Sequence, residues 1–329
     1  MPTPDLGPLI AGILADTIWS PHFPLRRTER LASISPKDDP VPRSGGLYRI
    51  HLEEEEPLLA YVGQTGRLRG RLNELALGVF GDEMPYTTPH VAAPSLYAWA
   101  LTPPYAPLML SFLKADLRAY YRQGLENLVV TVERQKRKQT ASAKQLARGG
   151  FSPLANFGKM PKGWYPSSSR TIGERGSVTL VDGIWHEPSI MPVCDLDDSH
   201  EAFGEVWGGH EWTPWRYARE IPIHLDQRGL YRLWQKGAQE FWYIGCGQIA
   251  AAARSAARLN PDLLFSAVVG RWTENEREEL KSDLLGLYMV QRKRPPLDQY
   301  EGEENATAGS PWPGEIQQGD EKRRRVRGA

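Results

Sequence analysis

At 329 residues the chain is long enough for two domains, and an apolar fraction of 40% with 11 Trp and 13 Tyr supports packed cores. Forty basic and forty acidic residues cancel, so net charge points to no partner and only local patches can. Two cysteines give no disulfide framework or cysteine-based metal site, the seven histidines carry no zinc-binding spacing, and no apolar run approaches the roughly 18 residues of a membrane span.

The first residues, M-P-T-P-D-L, lack a basic secretory n-region, so a cytoplasmic protein with no membrane partner is expected. Residues 6–18 read as a short apolar helix, and a Pro-rich, charged lead-in follows Trp19; together they form segment 1–44. Gly46–Leu52 and Leu58–Gln64 read as two strands around a run of four glutamates, polar enough for a hairpin tip. Thr65-Gly66 leads into a helix over 68–79. A loop rich in Pro, Gly and Thr fills 80–94, the alternation in L-Y-A-W-A-L-T predicts a third strand over 96–102, and a helix is expected over about 107–123. The order so far is β-β-α-β-α.

Residues 125–148 start apolar and then carry Arg134, Lys136, Arg137, Lys138, Lys144 and Arg148 with no acid after Arg134; Gly149-Gly150 stops the predicted helix. Phe151, Phe157, Trp164 and Tyr165 follow, interleaved with Lys159, Lys162 and Arg170. In a neutral chain this is a local basic and aromatic segment. It reads as a surface that tracks the backbone of DNA, whose phosphates set affinity and salt dependence rather than sequence choice. The plain alternative is a solvated helix face and loop. Residues 176–211 form a connector with strand-like pieces at 178–180 and 184–186, and its Asp195, Asp197 and Asp198 read better as a solvated loop than as a metal site. The tail, 301–329, is expected to be disordered and ends K-R-R-R-V-R-G-A.

The chain repeats itself. Gly46-Leu47-Tyr48 and Tyr61-Val62-Gly63 return as Gly229-Leu230-Tyr231 and Tyr243-Ile244-Gly245, about 182 residues later. Trp19-Ser20-Pro21 returns as Trp212-Thr213-Pro214, and residues 113–123 resemble 280–291. Matched segments in one order argue for an internal duplication, giving a module at 45–175 and a second at 212–300.

Two tyrosines on adjacent strands can place both phenol oxygens on one side of a small sheet. Arg71, in the first turns of the next helix, can aim its fork of donors at the same place, and such a fork suits a phosphodiester. The plain alternative is two strand aromatics and a solvated arginine.

These residues resemble the GIY-YIG nuclease superfamily: Gly46-Leu47-Tyr48 stands in for G-I-Y, Tyr61-Val62-Gly63 for Y-I-G, and Arg71 lies at the family's arginine spacing. The resemblance implies an α+β fold of two GIY-YIG-like modules, each a small three-stranded, mainly antiparallel sheet flanked by helices. It implies a DNA endonuclease that uses Mg2+ or Mn2+, serving in restriction, defence or repair. Tyr48 or Tyr61 would act on the attacking water and Arg71 would hold the phosphate, while Gln64 stands where some members carry a lysine. Two registers compete for the metal ligand. Leu125-Glu126-Asn127-Leu128-Val129-Val130 matches L-E-x-x-L-I and Pro153-Leu154-Ala155-Asn156 matches P-x-x-N, making Glu126 the metal ligand and Asn156 the closing residue. The 113–123 repeat instead puts the glutamate position on Lys114 and Lys281, with Asp116 as the substitute. The first register is preferred, because it brings both later motif pieces with it.

The second module departs from the family pattern: its arginine position falls on Ala252 or Ala253, its glutamate position on Lys281, and Asp298 lies at the asparagine position. It is therefore expected to serve structure, DNA binding, or a homodimer or other protein contact. The rival from another class is a non-catalytic DNA-binding protein of two degenerate modules.

Overall fold

The computed structural model describes residues 4–25, 41–52, 58–81, 92–93, 96–97, 107–140, 156, 190, 192–222 and 227–300. The fold is mixed α+β, with two compact units, Met1–Met191 and Pro192–Ala329. Among the described residues no helix is long and apolar enough to cross a membrane. The glutamate hairpin tip, Lys144, Lys159, Lys162, the aromatics after Gly150, the pieces at 178–180 and 184–186, and the tail lie outside the described residues.

The first unit contains α1 (Gly7–Leu14), β1 (Phe23–Pro24), β2 (Gly46–Leu52), β3 (Leu58–Thr65), α2 (Leu68–Val79), β4 (Leu108–Lys114) and α3 (Ala119–Thr140). Its sheet has the order β1-β4-β2-β3, and every pairing is antiparallel. β2 is buried along six of its seven residues, as expected of a central strand. Helix α2 lays Leu68, Leu72, Leu75, Ala76 and Val79 against Tyr48, Ile50 and Ala60, a helical stripe closing one face of the sheet.

The sheet carries a fourth, two-residue strand beyond the three expected, because the lead-in after Trp19 doubles back along β4. The third main strand is Leu108–Lys114 and not 96–102; Leu96 and Tyr97 lie in a helical turn, with Leu96 N–H donating to Ala92 O. The apolar run L-M-L-S-F-L was read as helix because a strand covered on both faces shows no alternation. The helix then runs unbroken from Ala119 through Gly124 to Thr140.

The second unit contains β5 (Val206–Trp207), β6 (His210–Glu211), β7 (Arg216–Tyr217), β8 (Arg228–Gln235), β9 (Phe241–Gln248), α4 (Ile249–Leu259), β10 (Leu263–Val269) and α5 (Glu274–Arg292). Its main sheet, β7-β10-β8-β9, repeats the antiparallel order of the first. The β5–β6 hairpin turns on Gly208 and Gly209, at φ 60° and 72°, the left-handed pair a two-residue turn needs. Residues 192–211, read as the end of a connector, belong to this unit: Trp207 is fully buried, and Ala202 O and Gly204 O accept from the Arg232 guanidinium.

The two units match bond by bond. Ser20 N–H donates to Phe112 O at 2.8 Å while its Oγ accepts from Phe112 N–H at 2.9 Å. Thr213 makes the same pair with Ala267, both at 2.9 Å. Arg49 donates to Ser111 Oγ and lies 4.0 Å from the Trp19 ring centroid; Arg232 donates to Ser266 Oγ and lies 4.4 Å from that of Trp212. Asp16 neutralises Arg49 at 2.6 Å. Arg232 lies among Trp207, Trp212, Trp215 and Phe241, and burial pushes its pKa down to about 9.

Candidate active site

The sheet register makes Tyr48 and Tyr61 neighbours. Tyr48 lies opposite Gly63 and Tyr61 opposite Ile50, with a register shift just beyond. A Cβ on Gly63 would collide with Tyr48 Cζ and Oη, so only glycine lets the phenol lie across β3. Gly245 makes the same room for Tyr231. This is the local reason for a tyrosine tripeptide facing a glycine tripeptide. Gly46 is fixed by a different crowding, since a Cβ there would meet Leu113 O on β4.

The Tyr48 and Tyr61 ring centroids lie 5.9 Å apart. Arg71, in the first turn of α2, donates to Tyr48 Oη, and a hydrogen bond joins the two phenols. Burial drives the Tyr48 pKa up; Arg71 pulls it down, the Glu126 charge pushes it up, and the bond with Tyr61 lowers it. Tyr61 is driven up first by burial, then by Tyr48 and Glu126, and its bond to Tyr48 raises it further. Tyr48 Oη is thus hydrogen-bonded with both Tyr61 and Arg71. Arg71 is also paired with Glu74 at 3.3 Å, and stays charged.

The Glu126 charge on α3 is thus felt by both phenols, which couples Tyr48, Tyr61, Arg71 and Glu126 electrostatically. Lys114 ends β4 opposite Gly46 and is exposed, as is Asp116 after it, and neither stands in Glu126's place. Asn156 acts on the backbone rather than at the phenols: its Nδ2 donates to Val62 O at 2.7 Å and its Oδ1 accepts from Val62 N–H at 3.0 Å. It caps β3, the edge strand, beside Tyr61.

The basic surface expected on α3 is only partly a surface. Arg134 is 4% exposed and donates to Ile190 O; Arg137 is 8% exposed and donates to Leu59 O on β3 and to Glu133. Both tie structure together, so the DNA-contact reading of these two is withdrawn. Lys136 pairs with Asp16 at 3.3 Å on the surface, and Lys138 is half-buried. Asp198 closes its own loop by accepting from His200 N–H and Gly208 N–H.

In the second unit Ile249 N–H bonds Gln227 O as Leu68 N–H bonds Ser44 O, which places Ala252 where Arg71 stands. Arg277 donates to Trp272 O as Arg122 donates to Leu117 O, both five residues back. Those arginines lie 155 residues apart, as do Ser111 and Ser266, so Glu126 corresponds to Lys281. Lys281 is paired with Glu278 at 2.5 Å. The 113–123 and 280–291 match was thus out of register by 12 residues: residues 113–118 end a strand and begin a loop, and Leu280 corresponds to Leu125. The capping counterpart of Asn156 is Gln299 and not Asp298, since Gln299 Oε1 accepts from Ile244 N–H at 2.9 Å. Asp298 instead accepts from Trp242 Nε1–H.

Comparison with known proteins adds no assignment: no family model, no curated protein and no solved structure matches the chain.

A metal at this cluster would have one carboxylate to rest on. Among the described residues no group of three or more His, Cys, Asp and Glu could hold an ion. A single half-buried carboxylate beside hard phenol oxygens fits Mg2+ or Mn2+ held jointly with a substrate phosphate, and does not fit a closed zinc site.

Proposed function

We propose that the first unit is the catalytic unit of a metal-dependent DNA endonuclease of the GIY-YIG type. The observation that carries this reading is the meeting of two phenols, one guanidinium and one carboxylate from β2, β3, α2 and α3. In this reading Arg71 grips a non-bridging oxygen of the scissile phosphate and stabilises charge that develops there. Tyr48 Oη, hydrogen-bonded with Tyr61 and Arg71, positions the attacking water. Glu126 would hold Mg2+ or Mn2+, and the ion would supply charge neutralisation at phosphorus. Asn156 holds the Val62 backbone on β3, next to Tyr61 in sequence.

The second unit keeps the frame and the tyrosine pair but carries Ala252 and Lys281 at the arginine and glutamate positions. It is read as a unit for DNA or protein contact, including a homodimer, and not as a second cutting site. Those two substitutions also favour the rival reading, a DNA-binding protein without catalysis.

Plasmid cleavage with Mg2+ separates the two. The wild-type chain is expected to cut, and Arg71→Ala and Glu126→Ala each to lose on the order of 100-fold or more with circular dichroism unchanged. No cutting of any DNA, with salt-sensitive binding retained, leaves the binding protein as the answer.

A further inference from the structure

A pair of imidazoles joins the lead-in of the first unit to its sheet, and the proposed chemistry does not use it. His22 lies just before β1 and His51 lies on β2; their ring centroids are 4.6 Å apart with the planes tilted by 36°. His51 is 6% exposed, and its Nδ1 is buried with no hydrogen-bond partner. His22 is exposed. A buried ring nitrogen without a partner has lost its hydration and gained no bond in exchange, which is unfavourable for structure alone.

The second unit shows what structure alone selects. Ser20 and Thr213 bond Phe112 and Ala267 alike, and Phe23 and Arg216 pair with Leu110 and Phe265, so His22 corresponds to Trp215. His51 and Trp234 pair with Met109 and Leu264, each just past the register shift, so these two correspond as well. Trp215 and Trp234 pack with ring centroids 5.6 Å apart, and their indole N–H groups donate to Phe203 O and Ala238 O. The first unit thus carries two titratable rings where the second carries two that do not titrate.

Among the described residues the charges around the pair come from three elements. Arg49 is on β2, and Asp16, just after α1, is paired with it. From α3, Lys136 reaches Asp16, Glu133 pairs with Arg137, and Arg137 donates to the carbonyl of Leu59, the residue opposite His51 on β3. Burial pushes the His51 pKa down to about 3, helped by Arg49, His22 and Lys136 and opposed by Asp16. His22 is lowered too, by burial and Arg49. Surroundings that oppose a proton also oppose a metal cation, so the pair is not read as a metal site.

We propose that His22 and His51 form an acid-released latch: a proton taken up by the pair frees the lead-in, residues 19–25, from the edge of β4. The proposal does not depend on the nuclease reading. Well above pH 6.5, the ordinary value for histidine, both rings are neutral whether the lead-in is docked or free, and the latch holds. As pH falls through that value, the free lead-in lets His51 take a proton that the docked form refuses, so docking weakens about tenfold per pH unit. Against its own burial, Asp16 is held below 3.8 by Arg49 and Lys136, so loss of that ion pair belongs to a lower pH.

Hydrogen exchange on the full chain at pH 7.5 and pH 5 tests this. The readout is the protection factor at the amides of Phe112 and Leu25, which bond Ser20 Oγ and Leu108 O between the lead-in and β4; Ala267, bonded to Thr213 Oγ1, is the counterpart in the second unit. Protection at Phe112 and Leu25 is expected to fall about 10- to 30-fold, while Ala267 stays within about three-fold. The double variant His22→Trp/His51→Trp, which copies the second unit, is expected to abolish the fall. A flat wild-type profile, or the same fall in the double variant, overturns the proposal. Should the double variant not fold, proton NMR of the wild type decides. A His51 ring that stays neutral down to pH 5 while protection falls supports the latch, and one that titrates near 6.5 with protection unchanged overturns it.

Discussion

What Tyr48 can do is set by Gly63. The missing Cβ lets the ring lie across β3, where its oxygen is hydrogen-bonded with Tyr61 and Arg71. Both phenols are held above their ordinary pKa chiefly by burial. The folded state therefore keeps phenol protons that the unfolded chain sheds above about pH 10, and stability falls as pH climbs past that point. Thermal melts between pH 8 and 11 should show this fall, and Tyr48→Phe should make it shallower while lowering the melt at pH 8, because Tyr61 and Arg71 lose a hydrogen-bond partner. The phenols and Arg71 were legible in the sequence because their order and spacing survive as short motifs. Glu126 was harder to place. The two corresponding helices share Arg122/Arg277, Leu125/Leu280 and Arg137/Arg292 but little else, and a chance likeness at residues 113–123 pulled the register aside. Arg134 and Arg137 misled for another reason: a charged side chain on an amphipathic helix looks solvated until the carbonyls that receive it are known.

At the scale of elements, the exposed edge of the sheet is managed by side chains. Among the described residues β3 has a strand neighbour on one side only, and Asn156 satisfies Val62 N–H and C=O on the other, as Gln299 satisfies Ile244 N–H at the edge of β9. Asn156→Ala is expected to cost about 1–3 kcal/mol and to speed amide exchange at Val62 more than at Ile244, as hydrogen-exchange measurements would report. Unchanged exchange at Val62 would mean that the cap is idle. β2, β3 and α2 were legible because a hairpin with a polar tip and an apolar stripe of Leu68, Leu72, Leu75 and Val79 each carry their own period. β4 was not, because a strand buried on both faces has no period to read. The edge strand β1 has two residues and no pattern at all; only the repeated Trp-Ser/Thr-Pro points to it, once Ser20 and Thr213 are seen bonding the same position of β4 and β10.

At the scale of the whole molecule, the chain carries one frame twice and the candidate chemistry once. What is retained between the units is the sheet order, the Tyr pair with its facing glycine, the buried Arg49 and Arg232 with their serines, and the Trp-Ser/Thr-Pro strap. What differs is Arg71 against Ala252, Gln64 against Cys246 and Glu126 against Lys281. The retained set explains why duplication was legible from sequence. The differing set became readable only when backbone bonds fixed which residues correspond. Under the proposed nuclease reading it leaves cutting to the first unit alone. The most direct test of that assignment is Mg2+-dependent plasmid cleavage by the full chain beside Glu126→Gln and Lys281→Gln, which neutralise corresponding positions on α3 and α5. The account predicts at least about a 100-fold loss for Glu126→Gln, with DNA binding and melting temperature retained, and cutting within about two-fold of wild type for Lys281→Gln. Cutting that survives Glu126→Gln, or that is lost with Lys281→Gln instead, would contradict it.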